Sequence, residues 1–139
     1  MTDKMFSDKQ SPGIKKLCSF IPYFENIDPD KVCQWKGGYK DKDGAMHLLY
    51  PVYDDEFKKF IDAFEESGMA VDNYKDELDR RIPARQTDIR KVVETADFEL
   101  LKVILTNCIR AEQSCDGAWE EAIKNGLFLE VLRRLKALK

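Results

Sequence analysis

The sequence predicts a mainly α, single-domain helical bundle with one small β-hairpin near residues 36–50. Two observations carry that class. Over most of the chain apolar residues recur at gaps of three and four, the spacing that lines one face of a helix. They are Leu17, Cys18, Ile21 and Phe24; Phe57, Phe60, Ile61 and Phe64; Leu101, Leu105, Cys108 and Ile109; and Phe128, Val131, Leu132, Leu135 and Leu138. Residues 32–53 break the period and interleave Trp35, Tyr39, Tyr50 and Tyr53 with Gly37, Gly38, Gly44 and Pro51. With 139 residues, 43% hydrophobic and 35% charged, the chain is long enough for one core and too apolar to remain unfolded.

Residues 1–13 read as a flexible lead-in closed by Ser11-Pro12-Gly13, and residues 14–139 as the single helical domain. Ile14 to Ile27 carries the first helical stripe, with Pro22 placed to kink or split it, and Asp28-Pro29-Asp30 ends it in a turn. Asp43-Gly44 is the hairpin's turn signal. The neighbouring Asp41 does not make this a calcium loop, because the third early ligand and the distal glutamate are missing. Tyr53 to Glu66 is a helix, with Asp54, Asp55 and Glu56 at its start and Ser67-Gly68 at its end. Val71 to Arg81 reads as loop and short helix, and Ile89, Val92 and Val93 begin another that stops near Thr95.

The chain is organised around residues 97–138: a long amphipathic helix, a polar elbow and a returning helical hairpin. Thr95 or Asp97 caps the first helix, Asp116 caps one running from about Gly117 to Asn125, and Gly126 stops it in a left-handed conformation. The terminal helix ends in Arg133, Arg134, Lys136 and Lys139, cations that its dipole favours there.

The elbow holds Thr106, Arg110, Glu112, Asp116 and Gly117. At 100° per residue Glu112 falls on the apolar face with Leu101, Leu105 and Cys108, while Thr106, Arg110 and Gln113 fall on a polar side. A carboxylate on that face is structural, in an ion pair or a capping bond to the next helix, or it serves a ligand or acid–base role. A third reading is that the helix frays first and leaves it in water. As a ligand site, Arg110 would hold a phosphate or carboxylate, Glu112 or Asp116 would act as base, and Trp119, Trp35 and Tyr39 would offer stacking surfaces, with Thr106 beside them.

Several chemistries have little support. His47 is the only histidine, so any triad must run through it. Cys18, Cys33, Cys108 and Cys115 lack the close spacing of a zinc site, and neither a metal nor a cofactor is expected. The net charge of -3 weighs against nucleic acid as a partner. No apolar run reaches membrane-spanning length and no signal-peptide pattern opens the chain, so no membrane partner and a cytoplasmic location are expected. Arg80, Arg81, Arg85, Arg90 and Lys91, with Arg133, Arg134 and Lys136, form either an anion-binding face or, the favoured reading, partners of the acidic helix at 54–66 and of Glu112.

Leu105-Thr106, Arg110-x-Glu112, Asp116-Gly117 and Gly126, with Trp35-x-Gly37-Gly38 and Tyr50-Pro51-x-Tyr53 upstream, form a pattern. From about Ile21 onward it resembles a family of small bacterial proteins known only as a domain of unknown function. That family has a basic and an aromatic residue after the glutamate, where this chain has Gln113 and Ser114. The resemblance implies no reaction, cofactor or partner.

Three functions are therefore in play. The first is a non-enzymatic helical binding or regulatory module, with a protein partner or a second copy as its target. An anion- or phosphate-binding protein, or a hydrolase-type enzyme, using Arg110, Glu112 and Asp116 is the second. The third is nucleic-acid binding through residues 80–91 and the final helix.

Overall fold

A computed structural model describes residues 11–28, 30–82 and 89–138. Helix α1 spans Ser11–Cys18 and α2 spans Ile21–Asn26. The break falls where Pro22 sits in the first turn of α2, a position whose backbone N–H would have no helical partner in any case. Ser11, Pro12 and Gly13, expected at the end of a flexible lead-in, belong to α1; residues 1–10 lie outside the described residues. Gly13 explains the extension. A Cβ there would stand 2.8 Å from the Ser67 Cα, so the glycine lets α1 pack directly against the end of the next long helix.

Strand β1 (Cys33–Lys36) pairs antiparallel with β4 (Tyr50–Tyr53), and β2 (Tyr39–Lys40) pairs with β3 (Met46–His47). Both pairings share one register, Cys33 opposite Tyr53 and Tyr39 opposite His47, so residues 33–53 are a single hairpin interrupted in the middle. The interruption is Gly37-Gly38, both at positive φ (91° and 74°). A Cβ on Gly37 would lie 2.1 Å from the Leu48 carbonyl oxygen, so the bend requires glycine at that point. At the tip Asp41 accepts from the Asp43 and Ala45 amides at 2.9 and 3.0 Å, and Gly44 turns the chain at φ 84°.

Helix α3 (Asp55–Ser67) starts on Asp54, whose carboxylate accepts from Phe57 N at 2.8 Å, and ends on left-handed Gly68. Helices α4 (Tyr74–Arg81) and α5 (Ile89–Thr95) follow. Helix α6 (Phe98–Arg110) is capped by Asp97, which accepts from Leu100 N at 2.8 Å; Thr95 closes α5 instead. A 3-10 turn, Ala111–Gln113, leads to α7 (Ala118–Lys124) and α8 (Leu127–Leu138).

Helix α8 is the hub, touching α1, α2, α5, α6 and α7. Its Phe128 is fully buried, stacked on Phe24 at 5.8 Å and edge-on to Phe57 and Phe60 at 5.6 and 5.5 Å. Burying a ring of that size stabilises by about 1.5–3 kcal/mol, and each aromatic pair adds about 0.5–1.5 kcal/mol. The architecture is mainly α with a small hairpin, and no helix among the described residues is long and apolar enough to cross a membrane.

Candidate functional site

The elbow is built around Glu112. The 3-10 turn tightens the end of α6 and brings this carboxylate over the start of α7. One oxygen accepts from Trp119 N at 2.9 Å and from the Tyr53 hydroxyl at 3.0 Å, and the other accepts from Gly117 N at 3.1 Å. Glu112 thus does the capping assigned in sequence to Asp116. Asp116 makes no cap; the N-cap residue of α7 is Gly117, at φ 94°. A left-handed N-cap with no side chain leaves its N–H groups for a remote acceptor, and Glu112 is within reach.

Tyr53 joins the hairpin to the elbow. Its hydroxyl donates to Glu112 and accepts from Glu120 N at 3.1 Å. Burial above all pushes the phenol pKa up; the Glu120 amide opposes this and the Glu112 carboxylate adds to it. The ring therefore stays neutral and keeps its donor. Trp119 packs on Tyr53 and Phe57 at 5.1 and 5.2 Å, and its indole N–H donates to the Ile109 carbonyl at 2.9 Å.

Thr106 and Arg110 lie elsewhere. The expected polar side of α6 is not one surface, because Thr106 is 1% exposed. Its hydroxyl donates to Lys102 O at 2.7 Å and accepts from Val71 N at 3.2 Å, tying the segment before α4 to α6. Arg110 forms a two-pronged pair with Glu65 of α3 at 2.8 and 3.0 Å and lies over the Phe64 ring. Glu65, the first cause, holds its guanidinium pKa above the ordinary value.

Trp35 and Asp116 are brought together. They line a surface recess of about 490 Å³ with Glu120, Glu121, Lys124 and Asn125. The Trp35 indole N–H donates to Glu120 at 3.1 Å, and a Cβ on Gly117 would meet the Trp35 ring at 2.8 Å. Arg110, Thr106 and Tyr39 are not among its walls. Tyr39 sits near the hairpin tip, stacked on His47 at 4.5 Å, with His47 in turn 3.0 Å from Asp41.

Leu48 and Leu49, not expected from the sequence to belong to a site, stand exposed beside the hairpin's aromatic residues. All the large hydrophobic side chains that stand exposed among the described residues lie on the hairpin: Trp35, Tyr39, Met46, Leu48, Leu49 and Tyr50. Leu48 is 79% exposed and Leu49 56%. The available signal was the run Leu48-Leu49-Tyr50 beside a turn, with no helix period to bury it.

Residues 9–139 match the model of a family of unknown function, DUF6508. The chain belongs to that family. No curated protein and no solved structure is significantly similar to it.

In this DUF6508 chain the remaining candidates are dispersed. Arg80 and Arg81 pair with Glu77, and Arg81 also approaches Asp97 at 3.5 Å. Arg90 donates to Asn125 O, Arg133 pairs with Glu25 and Glu130, and Arg134 donates to Ala96 O. These arginines bond neither Glu112 nor the acidic helix α3, the partners favoured from sequence, because α4, α5 and α8 carry them to other neighbours; Arg85 lies outside the described residues. Burial raises the Cys33 thiol pKa and pushes that of Cys108 up to about 12, so neither is an activated nucleophile.

Proposed function

We propose that this chain is a non-enzymatic binding module whose contact element is the hairpin at residues 33–53, and that its target is a protein surface. The observation that carries the reading is the concentration of exposed large hydrophobic side chains on that one arm, Leu48 and Leu49 foremost. Contiguous exposed apolar side chains of this kind mark interaction sites, and Trp and Tyr dominate the binding energy of protein interfaces. The elbow supports the same reading from the other side. Glu112, Trp119 and Thr106 are held by hydrogen bonds within the fold, and Arg110 by Glu65, so the arginine and the glutamate of the expected anion site are each committed to other partners.

A photo-crosslinking side chain placed at Leu48, with one at Asp62 on α3 as control, tests this in the cell that makes the protein. We expect a discrete protein adduct from position 48, none from position 62, and loss of the adduct when Leu49 is also changed to Asp. Equal labelling from the two positions, or none from either, would refute the reading.

A further inference from the structure

We propose that the occupant of the hairpin arm is a second copy of this chain, the two copies exchanging arms so that each lies over the recess at the root of the other. This rests on the reading of the hairpin as a protein-contact element. The chain carries both halves of a complementary pair. The arm presents Lys36, Lys40 and Lys42 beside its exposed aliphatic and aromatic side chains. Among the described residues none of these three lysines forms an ion pair. Of the arm's two acidic residues, Asp41 is occupied by the tip amides and His47, and Asp43 is exposed in the turn, so the three lysines still leave the arm net positive.

The recess is acidic and has an aromatic wall. Asp116, Glu120 and Glu121 outnumber Lys124, and Trp35 closes one side. Glu120 is held by Trp35 and Lys124, while Asp116 and Glu121 form no ion pair among the described residues. Trp35 belongs to β1, so the recess adjoins the root of the same arm whose tip bears the lysines. Arm and recess side by side on one chain is the layout that a two-fold axis satisfies twice, closing the assembly at two copies. The free edge of the hairpin also favours a side-chain contact over strand addition at β4. Asp54 N bonds Val32 O, so alternation leaves Pro51 opposite Trp35 at a position where an N–H would face outward, and proline has none.

Sedimentation equilibrium on the purified chain over a wide concentration range tests this, with melting curves on each variant to confirm folding. We expect a dimer. Leu48→Asp with Leu49→Asp, and separately Lys40→Glu with Lys42→Glu, each weakens it by at least about tenfold, as loss of a central contact does. Adding Asp116→Lys and Glu121→Lys to the lysine-reversed chain restores association, because the charges are exchanged across the interface. A chain that stays monomeric throughout, a dimer indifferent to both pairs, or a reversed pair that is not rescued would overturn the proposal. If the chain is monomeric yet Leu48 still crosslinks to a different protein in the cell, the homodimer fails and the contact-element reading survives. Binding of the monomer to vesicles of phosphatidylserine and phosphatidylcholine, abolished by the leucine changes, would instead assign the arm to an anionic membrane surface and overturn both.

Discussion

The elbow and the hairpin meet at Tyr53, yet they distribute their side chains in opposite ways. The elbow concentrates polar groups and engages nearly all of them internally: three donors converge on Glu112, Thr106 bridges α6 to the segment before α4, and Arg110 locks to α3. The hairpin concentrates apolar groups and leaves them outside. A cluster of charged residues in sequence looks like chemistry, and here it is fastening. A run of leucine and tyrosine looks like core, and here it is surface. The difference teaches that the informative quantity is the number of bonds a group still has to make, which composition does not reveal.

The sharpest way to break the comparison is Glu112→Ala. It strands the Gly117 and Trp119 amides and the Tyr53 hydroxyl in a part-buried site, where each orphan donor costs on the order of 1–3 kcal/mol. With partial rescue by water, a loss of about 3 kcal/mol in urea unfolding is expected. Leu48→Asp, in a side chain 79% exposed, should change stability by no more than about 0.5 kcal/mol. If Glu112→Ala is as mild as the leucine change, the elbow is not the fastening inferred, and its carboxylate is free for another task.

Much of this arrangement was legible in the chain. Asp54, Asp97, Gly68 and Gly126 cap or stop helices where their residue types and positions say they should, because capping is local. Glu112 was legible as an anomaly on an apolar face for which a capping bond to the next helix was one reading, while the particular donors were not. Its role depends on amides five and seven residues ahead, across a 3-10 turn that helical stepping at 100° does not describe. Thr106 was misplaced for a related reason: its second partner, Val71 N, is 35 residues away and arrives only through tertiary packing. In the hairpin the turn at Asp43-Gly44 and the aromatic content were readable, while the exposure of Leu48 and Leu49 depends on what the rest of the fold leaves uncovered and was not.

The bend at Gly37-Gly38 supplies the second test. Gly37→Ala introduces a Cβ at 2.1 Å from the Leu48 carbonyl oxygen, which is backbone and has little freedom to retreat, at a φ of 91° that side chains resist. The expected cost is about 1–3 kcal/mol, confined to the arm. Hydrogen exchange should show lost protection at the paired Tyr39–Lys40 and Met46–His47 segments, while α6 and α8 exchange as before. Uniform loss across the helices would mean that the hairpin and the bundle are one cooperative unit, and the contrast between them would lose its force.

The smallest effect lies at the tip, and it tests whether the arm is ordered out to its end. The His47 ring first, and the Ala45 amide next, hold the Asp41 carboxyl below its ordinary 3.8. A carboxylate whose pKa is depressed by folding adds stability that is present above the unfolded value and is lost as pH falls through the folded one. The tip should therefore keep its turn as pH drops through 3.8 and loosen only below it. Asp41 is partly exposed at the end of the arm, so the change is local and is read by following the Ala45 and Gly44 amide resonances, rather than by global unfolding. His47→Ala removes the leading cause and should move the midpoint up toward 3.8 while leaving the Asp43 and Ala45 amide bonds in place. An Asp41 that already titrates at the ordinary value, or that ignores the loss of His47, would mean that the Tyr39–His47–Asp41 stack does not form in solution. An arm frayed at its tip would then present its leucines from a mobile loop, and the recognition it performs would depend on ordering at the moment of contact.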